Sequence, residues 1–331
     1  MHPRFDARAK RATLRRLAAL GLAGLALVAS HGAPAQERAV RIILPVATGS
    51  GVDTITRAAQ PALSKALDHP VVVENQAGAG GIVGTSALVK APPDGFTLSI
   101  VSNNHVIYPS VYKSVPFDPV ADITPIAVVG STPIVLVVNP KVPAKNAQEL
   151  IALLKSKPDE MNYASSGNGT ILHLAAAMFL DQAGAKAKHI PYKGVGPMLT
   201  DLLGGQVDFA TAALPSVQQH IKSGALRAIG VGAPQRLAAA PDIPTMVEQG
   251  MPNYLVEGWF AVIGPAKMPA SLVNRINAAI KETFASSDVK DAMAKQGNTI
   301  DVSTPEYATR FFPAELAKYA ALVKKAGVEL Q

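Results

Sequence analysis

Short β-rich runs alternate with helical patterns along most of this 331-residue chain. The predicted strands are Val40–Leu44, Val71–Glu74, Phe96–Val101, Ile134–Val138, Asn162–Ala164, Lys188–Pro191, Val207–Ala210, Arg227–Val231 and Trp259–Ile263. Helical patterns separate most of these strands, and two more, at about 270–296 and 305–325, follow the last one. Strands that alternate with helices indicate βαβ units. The sequence therefore predicts an α/β fold with a mainly parallel sheet.

The first 35 residues have the pattern of a secretory signal peptide. Basic residues dominate positions 1–16, residues 17–30 form an apolar run, and small residues precede Gln36 at Ala33-Pro34-Ala35. The apolar run is shorter than the ~20 residues that span a bilayer. We therefore expect cleavage after residue 35 and a soluble periplasmic product. The pair Arg15-Arg16 leaves open whether the export route is the general or the twin-arginine one.

Composition excludes several functional classes. Loss of residues 1–35 removes six cations and one anion and lowers the net charge from +7 to about +2, which argues against a nucleic-acid partner. The chain has no cysteine, so disulfides, thiolate metal sites and cysteine nucleophiles are absent. No two histidines have metal-ligand spacing on one helix. We predict neither a metal nor a cofactor.

Glycine-rich turns follow three of the predicted strands, at residues 45–57, 71–91 and 163–174. A helix that begins after such a turn offers unpaired N–H groups, which bind carboxylate or phosphate. Ordinary helix capping is the alternative for each turn. The second turn has the spacing G-x-G-x-x-x-G, and no acidic residue follows about 20 positions later to bind a ribose. We therefore reject a dinucleotide site and keep a small anion.

Catalytic motifs are nearly absent. The chain has neither a G-x-S-x-G elbow nor an H-E-x-x-H motif. Ser166 and His173 could form a nucleophile and its base. No clear third residue orients them, so a small-acid hydrolase is a lesser alternative. We expect His173 to be a neutral hydrogen-bond donor, because a helix N-terminus disfavours its cation.

Two stretches are candidates for crossings between domains. One runs from Thr132-Pro133 through the strand IVLVV to Asn139-Pro140, and the other spans residues 251–260. If both are hinges, residues 36–136 and 257–331 form one lobe, and residues 137–256 form the other.

The ordered motifs of the mature chain resemble those of the tripartite tricarboxylate transporter receptors, the periplasmic solute-binding proteins of the Bug family. The motifs are the glycine loop from Pro45 to Asp53, ENQAGAGGIVGT (74–85), APPDGFTL (91–98), YASSGNGTILHL (163–174), HIPYKGVGPMLTDLLGGQVDF (189–209), PDIPTMVEQG (241–250) and GWFAVIGP (258–265). The resemblance implies a type 2 periplasmic-binding-protein fold, with two α/β lobes, a ligand cleft between them and two hinge crossings.

The resemblance also implies a set of ligand-binding residues. They are Val46, Ala47, Gly49, Gly51, Asp53, Asn75, Ser165, Ser166, Gly169, Thr170, His173, Tyr192, Lys193 and Gly194. The family's first loop usually has two adjacent glycines, whereas this chain has Ser50 between Gly49 and Gly51. The side chain of Ser50 puts the close approach of the backbone to the ligand in question. Asp53 is either a structural brace or, for an amino-acid ligand, the partner of its ammonium group.

The implied function is the capture of a small carboxylate and its delivery to a membrane permease with a large and a small subunit. The ligand classes left open are di- or tricarboxylates, acidic amino acids and aromatic carboxylates. We expect a monomer without enzymatic activity. The alternative is a periplasmic receptor whose closed form signals to a partner instead of supplying a permease.

Overall fold

A computed structural model describes residues 38–326, 328 and 330. The predicted signal peptide, residues 1–35, lies outside these residues. The strands are β1 Val40–Leu44, β2 Val71–Asn75, β3 Thr97–Ser102, β4 Ile123–Val138, β5 Asn162–Ser165, β6 Lys188–Pro191, β7 Phe209–Ala213, β8 Arg227–Val231, β9 Glu257–Pro265 and β10 Thr299–Ile300. The helices are α1 Gly51–Leu67, α2 Ile82–Val89, α3 Asn104–Ile107, α4 Ala147–Ser156, α5 Ile171–Ala183, α6 Val195–Gly204, α7 Leu214–Lys222, α8 Ala270–Ala285, α9 Ser287–Lys295 and α10 Pro305–Lys325.

The strands are hydrogen-bonded in the order β2-β1-β3-β9-β4-β7-β5-β6, with β8 and β10 also pairing with β4. At the two ends of this order, β1 runs parallel to β2 and β3, and β5 runs parallel to β6 and β7. In the middle, β4 and β9 are antiparallel to each other and to their other neighbours. The prediction of a mainly parallel sheet is therefore wrong for the centre. The connections that precede β4 and β9, residues 103–122 and 232–256, do not return the chain to a neighbouring strand, as the βαβ crossover that makes neighbours parallel does.

The strand β4 has 16 residues, of which the sequence predicted only Ile134–Val138. Its first part, up to Pro133, pairs with β9, and its last five residues pair with β7 and β8. Proline and glycine weaken a strand pattern, and Pro125, Gly130 and Pro133 interrupt this one. The register shifts between Pro125 and Ala127 and between Val128 and Gly130, so irregularities accommodate two of these residues.

Buried apolar side chains form two clusters. The smaller one includes Ile42 of β1, Ile55 of α1 and Phe260 of β9. The larger one includes Leu136 of β4 and Phe209 of β7 and extends across α5 and α10. The larger cluster also includes Ile43 of β1 and Val101 of β3, so it extends along the sheet, whereas the smaller one stays at the β1 end. The division into lobes 36–136 plus 257–331 and 137–256 stays a prediction.

The C-terminal part is helical, as predicted, but the expected helix at 270–296 is broken. Ser286 has an extended backbone and separates α8 from α9. The last helix, α10, packs against β4 and α3. No helix in the described part of the chain is long and apolar enough to cross a membrane.

Gly130 provides a test of the β4–β10 pairing. A Cβ at this position would overlap the carbonyl oxygen of Thr299 in β10. We expect Gly130→Ala to lower the free energy of unfolding by about 2 kcal/mol, because backbone cannot move aside as a flexible side chain can. Urea denaturation measures this change.

The matched control is Gly204→Ala at the end of α6. There the added methyl group would meet only the side chain of Gln206, at 4.0 Å. This variant should be neutral or slightly more stable, because alanine favours a helix more than glycine does. Equal unfolding free energies for the Gly130→Ala variant and the unmodified protein would contradict the close contact.

Candidate functional site

A cavity of about 570 Å³ lies between two sets of loops. The first wall consists of residues 45–47, 50–52, 77–81, 102–104 and Tyr112. The second wall consists of residues 166–168, 170–172 and 191–195. The remaining lining residues are Thr132, Ile134, Ala213, Ser216, Gly258 and Trp259. Both walls are built mostly from turns that follow a strand and lead into a helix.

The first glycine loop lies at the cavity and leads directly into α1. Gly49 has a φ of 80°, a backbone conformation that glycine adopts without strain. Ser50 has an ordinary extended backbone and caps α1, and its hydroxyl accepts a hydrogen bond from the N–H of Asp53 at 3.2 Å. Ser50, which departs from the family pattern, therefore lies at a position that does not require glycine. It caps the helix, as serine commonly does.

Asp53 braces this loop from behind. It is 3% exposed, and its carboxylate accepts hydrogen bonds from the Gly49 N–H, from Nε of Arg57 and from Nδ2 of Asn75, each at 2.9 Å. Asn75 also donates to the carbonyl oxygen of Val46 at 3.2 Å and accepts from Arg57 at 2.7 Å. Neither Asp53 nor Asn75 lines the cavity. The network fixes the loop and already supplies the partner that a buried carboxylate requires.

The glycines of the second turn serve loop packing. A Cβ on Gly84 would lie 2.8 Å from Cα of Pro45, and one on Gly81 would lie 3.2 Å from the carbonyl oxygen of Pro45. Gly78, Gly80 and Gly81 all have positive φ. These residues allow residues 77–81 to lie directly against the first loop, so the two turns form one continuous wall.

The second wall begins α5 with Thr170 as its N-cap. The Thr170 hydroxyl accepts from the His173 N–H at 3.3 Å, and the Gly169 N–H donates to Nδ1 of His173 at 3.0 Å. This ring is therefore a neutral acceptor at Nδ1, and it is held within its own loop. The Ile171 N–H donates at 2.9 Å to Oδ1 of Asn104, which belongs to the first wall. The walls are thus joined by a direct hydrogen bond.

The turn after β6 contributes Tyr192, Lys193 and Gly194 to the second wall. Tyr192 donates its hydroxyl to Asp201 at 2.7 Å, so this group is directed toward α6. Burial and the Asp201 carboxylate raise the pKa of Tyr192 to about 12. Lys193 is exposed, and Gly194, with a φ of 120°, immediately precedes α6.

The walls and the segments next to them touch at positions where only glycine fits. A Cβ on Gly194 would lie 2.5 Å from Cβ of Ala47 in the first loop. A Cβ on Gly51 would lie 2.8 Å from Cβ of Ala213, at the end of β7. At Gly169 a Cβ would overlap the side chain of Val111. The cavity is therefore closed by close contacts on more than one side.

The charge of the cavity comes mainly from the backbone. Among the described residues that line it, Lys193 is alone in carrying a charged side chain. The N-terminal ends of α1, α5, α6 and α7 reach the cavity at Gly51, Leu172, Val195 and Ser216. Helix N-termini carry a partial positive charge and free N–H donors. Such a cavity favours an anionic ligand, even though its described lining includes no arginine.

Three aromatic rings form a stack behind the second wall. His173 lies parallel to His189 with 3.9 Å between ring centroids, and the ring of Tyr163 lies 4.8 Å from that of His189 and 6.2 Å from that of His173. Nε2 of His189 lies 2.7 Å from the Ser165 hydroxyl. Burial lowers the pKa of His173 to about 3 and that of His189 to about 4. The stack is neutral at physiological pH.

The structure brings the sequence-predicted residues together, but in two layers. Val46, Ala47, Gly51, Ser166, Thr170, Tyr192, Lys193 and Gly194 line the cavity. Gly49, Asp53, Asn75, Ser165, Gly169 and His173 lie behind them and hold the loops. Contact of any of them with a ligand stays a prediction.

The sequence patterns did not predict several of the residues that line the cavity. Asn103 and Asn104 directly follow β3, and polar residues at the end of a strand are a usable signal. Thr132 and Ser216 have no such signal, because only the pairing of β4 with β7 and β9 brings them here. Trp259 lines the cavity with part of its surface, but it is 7% exposed and donates to Glu315 at 2.7 Å, so it is mainly core.

The proposed nucleophile and base are not paired. Ser166 donates to the Thr170 hydroxyl at 3.2 Å, whereas Nδ1 of His173 accepts from Gly169. The serine that does contact a histidine ring is Ser165, which is fully buried. In the described part of the chain, no cluster of three or more His, Asp or Glu side chains could hold a metal ion.

The fold and the cleft are those of the periplasmic binding proteins. The solved structure of the periplasmic binding protein BugD matches with a TM-score of 0.85 at 31% identity, over 89% of this chain and 99% of that one. The structure of Rpa4515 from R. palustris with adipate also matches with a TM-score of 0.85, at 28% identity, over 90% of this chain and 99% of that one. The predicted fold class is confirmed.

The sequence comparisons identify the family. The model of the tripartite tricarboxylate transporter family receptor matches residues 55–328, and the chain belongs to this family. BugT of Bordetella pertussis (strain Tohama I) is 36% identical over 324 residues, which cover 96% of this chain and 99% of the relative. The predicted resemblance to the Bug family is confirmed.

The histidine stack predicts a pH dependence of stability. Both lowered pKa values mean that the unfolded chain binds protons more readily than the folded one below a pH of about 6.5. The contribution of the two histidines to the free energy of unfolding should therefore be fully present above that pH. It should fall as the pH decreases toward 4. Each histidine contributes at most about 1.4 kcal/mol per pH unit. We expect His189→Gln to show a shallower decrease in urea denaturation between pH 6.5 and 4.5.

The control is Tyr163→Phe, which changes the same stack without changing the number of histidines. It should shift the curve of unfolding free energy against pH without changing its slope. Identical slopes for the unmodified protein and His189→Gln would contradict a neutral stack.

Proposed function

We propose that this protein captures a small carboxylate between its two walls. The observation that carries the proposal is the convergence of four helix N-termini on a cavity whose single charged lining side chain, among the described residues, is that of Lys193. Free N–H groups and the helix dipole bind carboxylates in this way. Adipate in the related structure of Rpa4515 supports the same ligand class.

Among carboxylates, we favour those without an ammonium group. An amino acid would need an anionic partner, and the described lining residues include no Asp or Glu side chain. Asp53, the candidate partner, lies behind the loop with its oxygens engaged by Gly49, Arg57 and Asn75. Burying an unpaired ammonium group is unfavourable. Di- or tricarboxylates and aromatic carboxylates therefore fit better than acidic amino acids.

We further propose delivery of the ligand to a membrane permease with large and small subunits. The family's description as a transporter receptor supports this role. In this proposal the mature protein acts as a periplasmic monomer without enzymatic activity, and the separation of Ser166 from His173 argues against a hydrolase. A pull-down with and without ligand distinguishes a permease from a signalling partner.

Gly194 tests whether closure of the walls drives binding. The methyl group of an alanine there would lie 2.5 Å from Cβ of Ala47. The alanine would also have to adopt a positive φ. Because overpacking of this kind costs about 1–3 kcal/mol, we expect Gly194→Ala to weaken adipate binding by about tenfold or more. Isothermal titration calorimetry measures the affinity.

The matched control is Gly196→Ala, two residues further into α6. A Cβ there would lie 3.9 Å from the Thr48 carbonyl oxygen, an ordinary contact. Its affinity for adipate should be close to that of the unmodified protein. Failure of the unmodified protein to bind any acid of a panel of di-, tri- and aromatic carboxylates would overturn the proposed function.

A further inference from the structure

One hydrogen bond joins the two walls of the cavity. The N–H of Ile171, the first residue of α5, donates to Oδ1 of Asn104 at 2.9 Å. Between the described residues of the two walls, no second hydrogen bond crosses the cavity. Ile171 directly follows the N-cap Thr170, so its N–H has no acceptor within the helix. The bond to Asn104 therefore decides whether this N–H is satisfied.

Asn103, the preceding residue, fixes the end of β3 to β9. The backbone pairing of the two strands ends at Ser102. The side chain of Asn103 continues this pairing, because its Oδ1 accepts from the Trp259 N–H at 2.8 Å and its Nδ2 donates to the carbonyl oxygen of Glu257 at 3.4 Å. A side-chain amide offers the same donor and acceptor as a peptide group. One buried asparagine thus replaces the next backbone pair, within the predicted crossing at residues 251–260.

The C-terminal helix α10 holds this junction from behind. Nδ2 of Asn103 also donates to the hydroxyl oxygen of Tyr319. The Glu315 carboxylate accepts from Nε1 of Trp259 at 2.7 Å and from Lys318 at 2.9 Å. Buried hydrogen bonds of this kind are costly to break, most of all those to a charged group. The end of β3 is therefore fixed to both β9 and α10. Neither Glu315 nor Tyr319 lines the cavity.

His105 anchors the chain on the other side of Asn104. Its ring is buried, and Nε2 donates to the carbonyl oxygen of Pro119 at 2.7 Å. The second ring nitrogen, Nδ1, accepts from the Tyr108 hydroxyl at 2.9 Å. Burial lowers the pKa of His105 to about 4, so the ring is neutral at physiological pH. The position of Asn104 is therefore set by anchored residues on both sides, and its side chain reaches across to Ile171.

We propose that Asn103 and Asn104 form a closure latch, in which Asn104 holds the second wall to the first and Asn103 is the positioning residue that fixes Asn104. In the predicted division into lobes, Asn104 and Ile171 belong to different lobes, so their bond exists only in the closed form. This inference rests on the proposed function, in which a carboxylate binds between the walls. A latch that favours the closed form increases the affinity for every acid by the same factor, whereas a direct contact distinguishes among acids.

Hydrogen exchange of single backbone amides tests the latch in the ligand-free protein. The unmodified protein should protect the Ile171 amide, and Asn104→Ala should increase its exchange rate by about tenfold, because no helical bond replaces the lost acceptor. The amide of His173 is the internal control. It donates to the Thr170 hydroxyl within the same turn, so its exchange rate should be the same in both proteins.

Calorimetry with succinate, adipate, citrate and benzoate separates the latch from a direct ligand contact. Asn104→Ala should weaken the binding of each bound acid by a common factor of about threefold to tenfold, the range of one hydrogen bond. Tyr319→Phe removes an acceptor of the Asn103 amide outside the cavity, and it should weaken all of them by a smaller common factor. In the Asn104→Ala background, Tyr319→Phe should have no further effect, because it acts through Asn104.

Thr283→Val is the control for the loss of a buried hydroxyl. The Thr283 hydroxyl donates to the carbonyl oxygen of Ala279 at 2.8 Å within α8, and neither residue lines the cavity. This variant should lower the Tm, as Tyr319→Phe should, because each loses a satisfied buried hydrogen bond. Unlike Tyr319→Phe, it should leave every affinity unchanged.

The outcomes separate the two proposals. If the unmodified protein binds none of the four acids, the proposed function and this inference are both overturned. If it binds them, three results would each overturn the latch alone. They are an unchanged exchange rate at Ile171 in Asn104→Ala, losses of affinity that differ from acid to acid, and a full additional loss from Tyr319→Phe in the double variant.

Discussion

The buried carboxylate of Asp53 is the interaction on which the first wall depends. It connects the beginning of α1 with Arg57 one turn later and with Asn75 at the end of β2, so one ionised group fixes two turns that are distant in sequence. Several charge-assisted hydrogen bonds compensate the loss of solvation that a buried charge suffers. The loops are thereby held in one arrangement, and the proposed anion would meet N–H groups that are already in position.

The groups that face the cavity differ from the side chains that hold its walls in position. Charged and titratable side chains such as Asp53, His173 and His189 lie behind the walls, where they hold backbone in position. The surface presented to a ligand is made of helix ends, hydroxyl groups and glycines. The same glycines also let the walls approach each other, as at Gly194 and Ala47. Under the proposed function, binding and closure therefore depend on the same backbone segments.

Local patterns predicted the elements that depend on local physics. The strand at Val40–Leu44, the helix start at Thr170 and the glycine turns all carry short-range signals, and the structure has them there. The full length of β4 was not predictable, because its irregular residues are tolerated only through pairing with β9. Asn75 was predicted among the ligand-binding residues, whereas its hydrogen bonds to Val46, Asp53 and Arg57 place it behind the cavity wall. A sequence motif identifies a loop but does not say which of its side chains face inward.

The long strand β4 has a consequence for how the chain reaches its native state. Its first part is completed only by β9, whose residues follow more than 100 positions later. The first half of the sheet therefore cannot finish until nearly the whole polypeptide has been made. Such distant contacts slow folding, because a large loop must close before any pairing energy is gained.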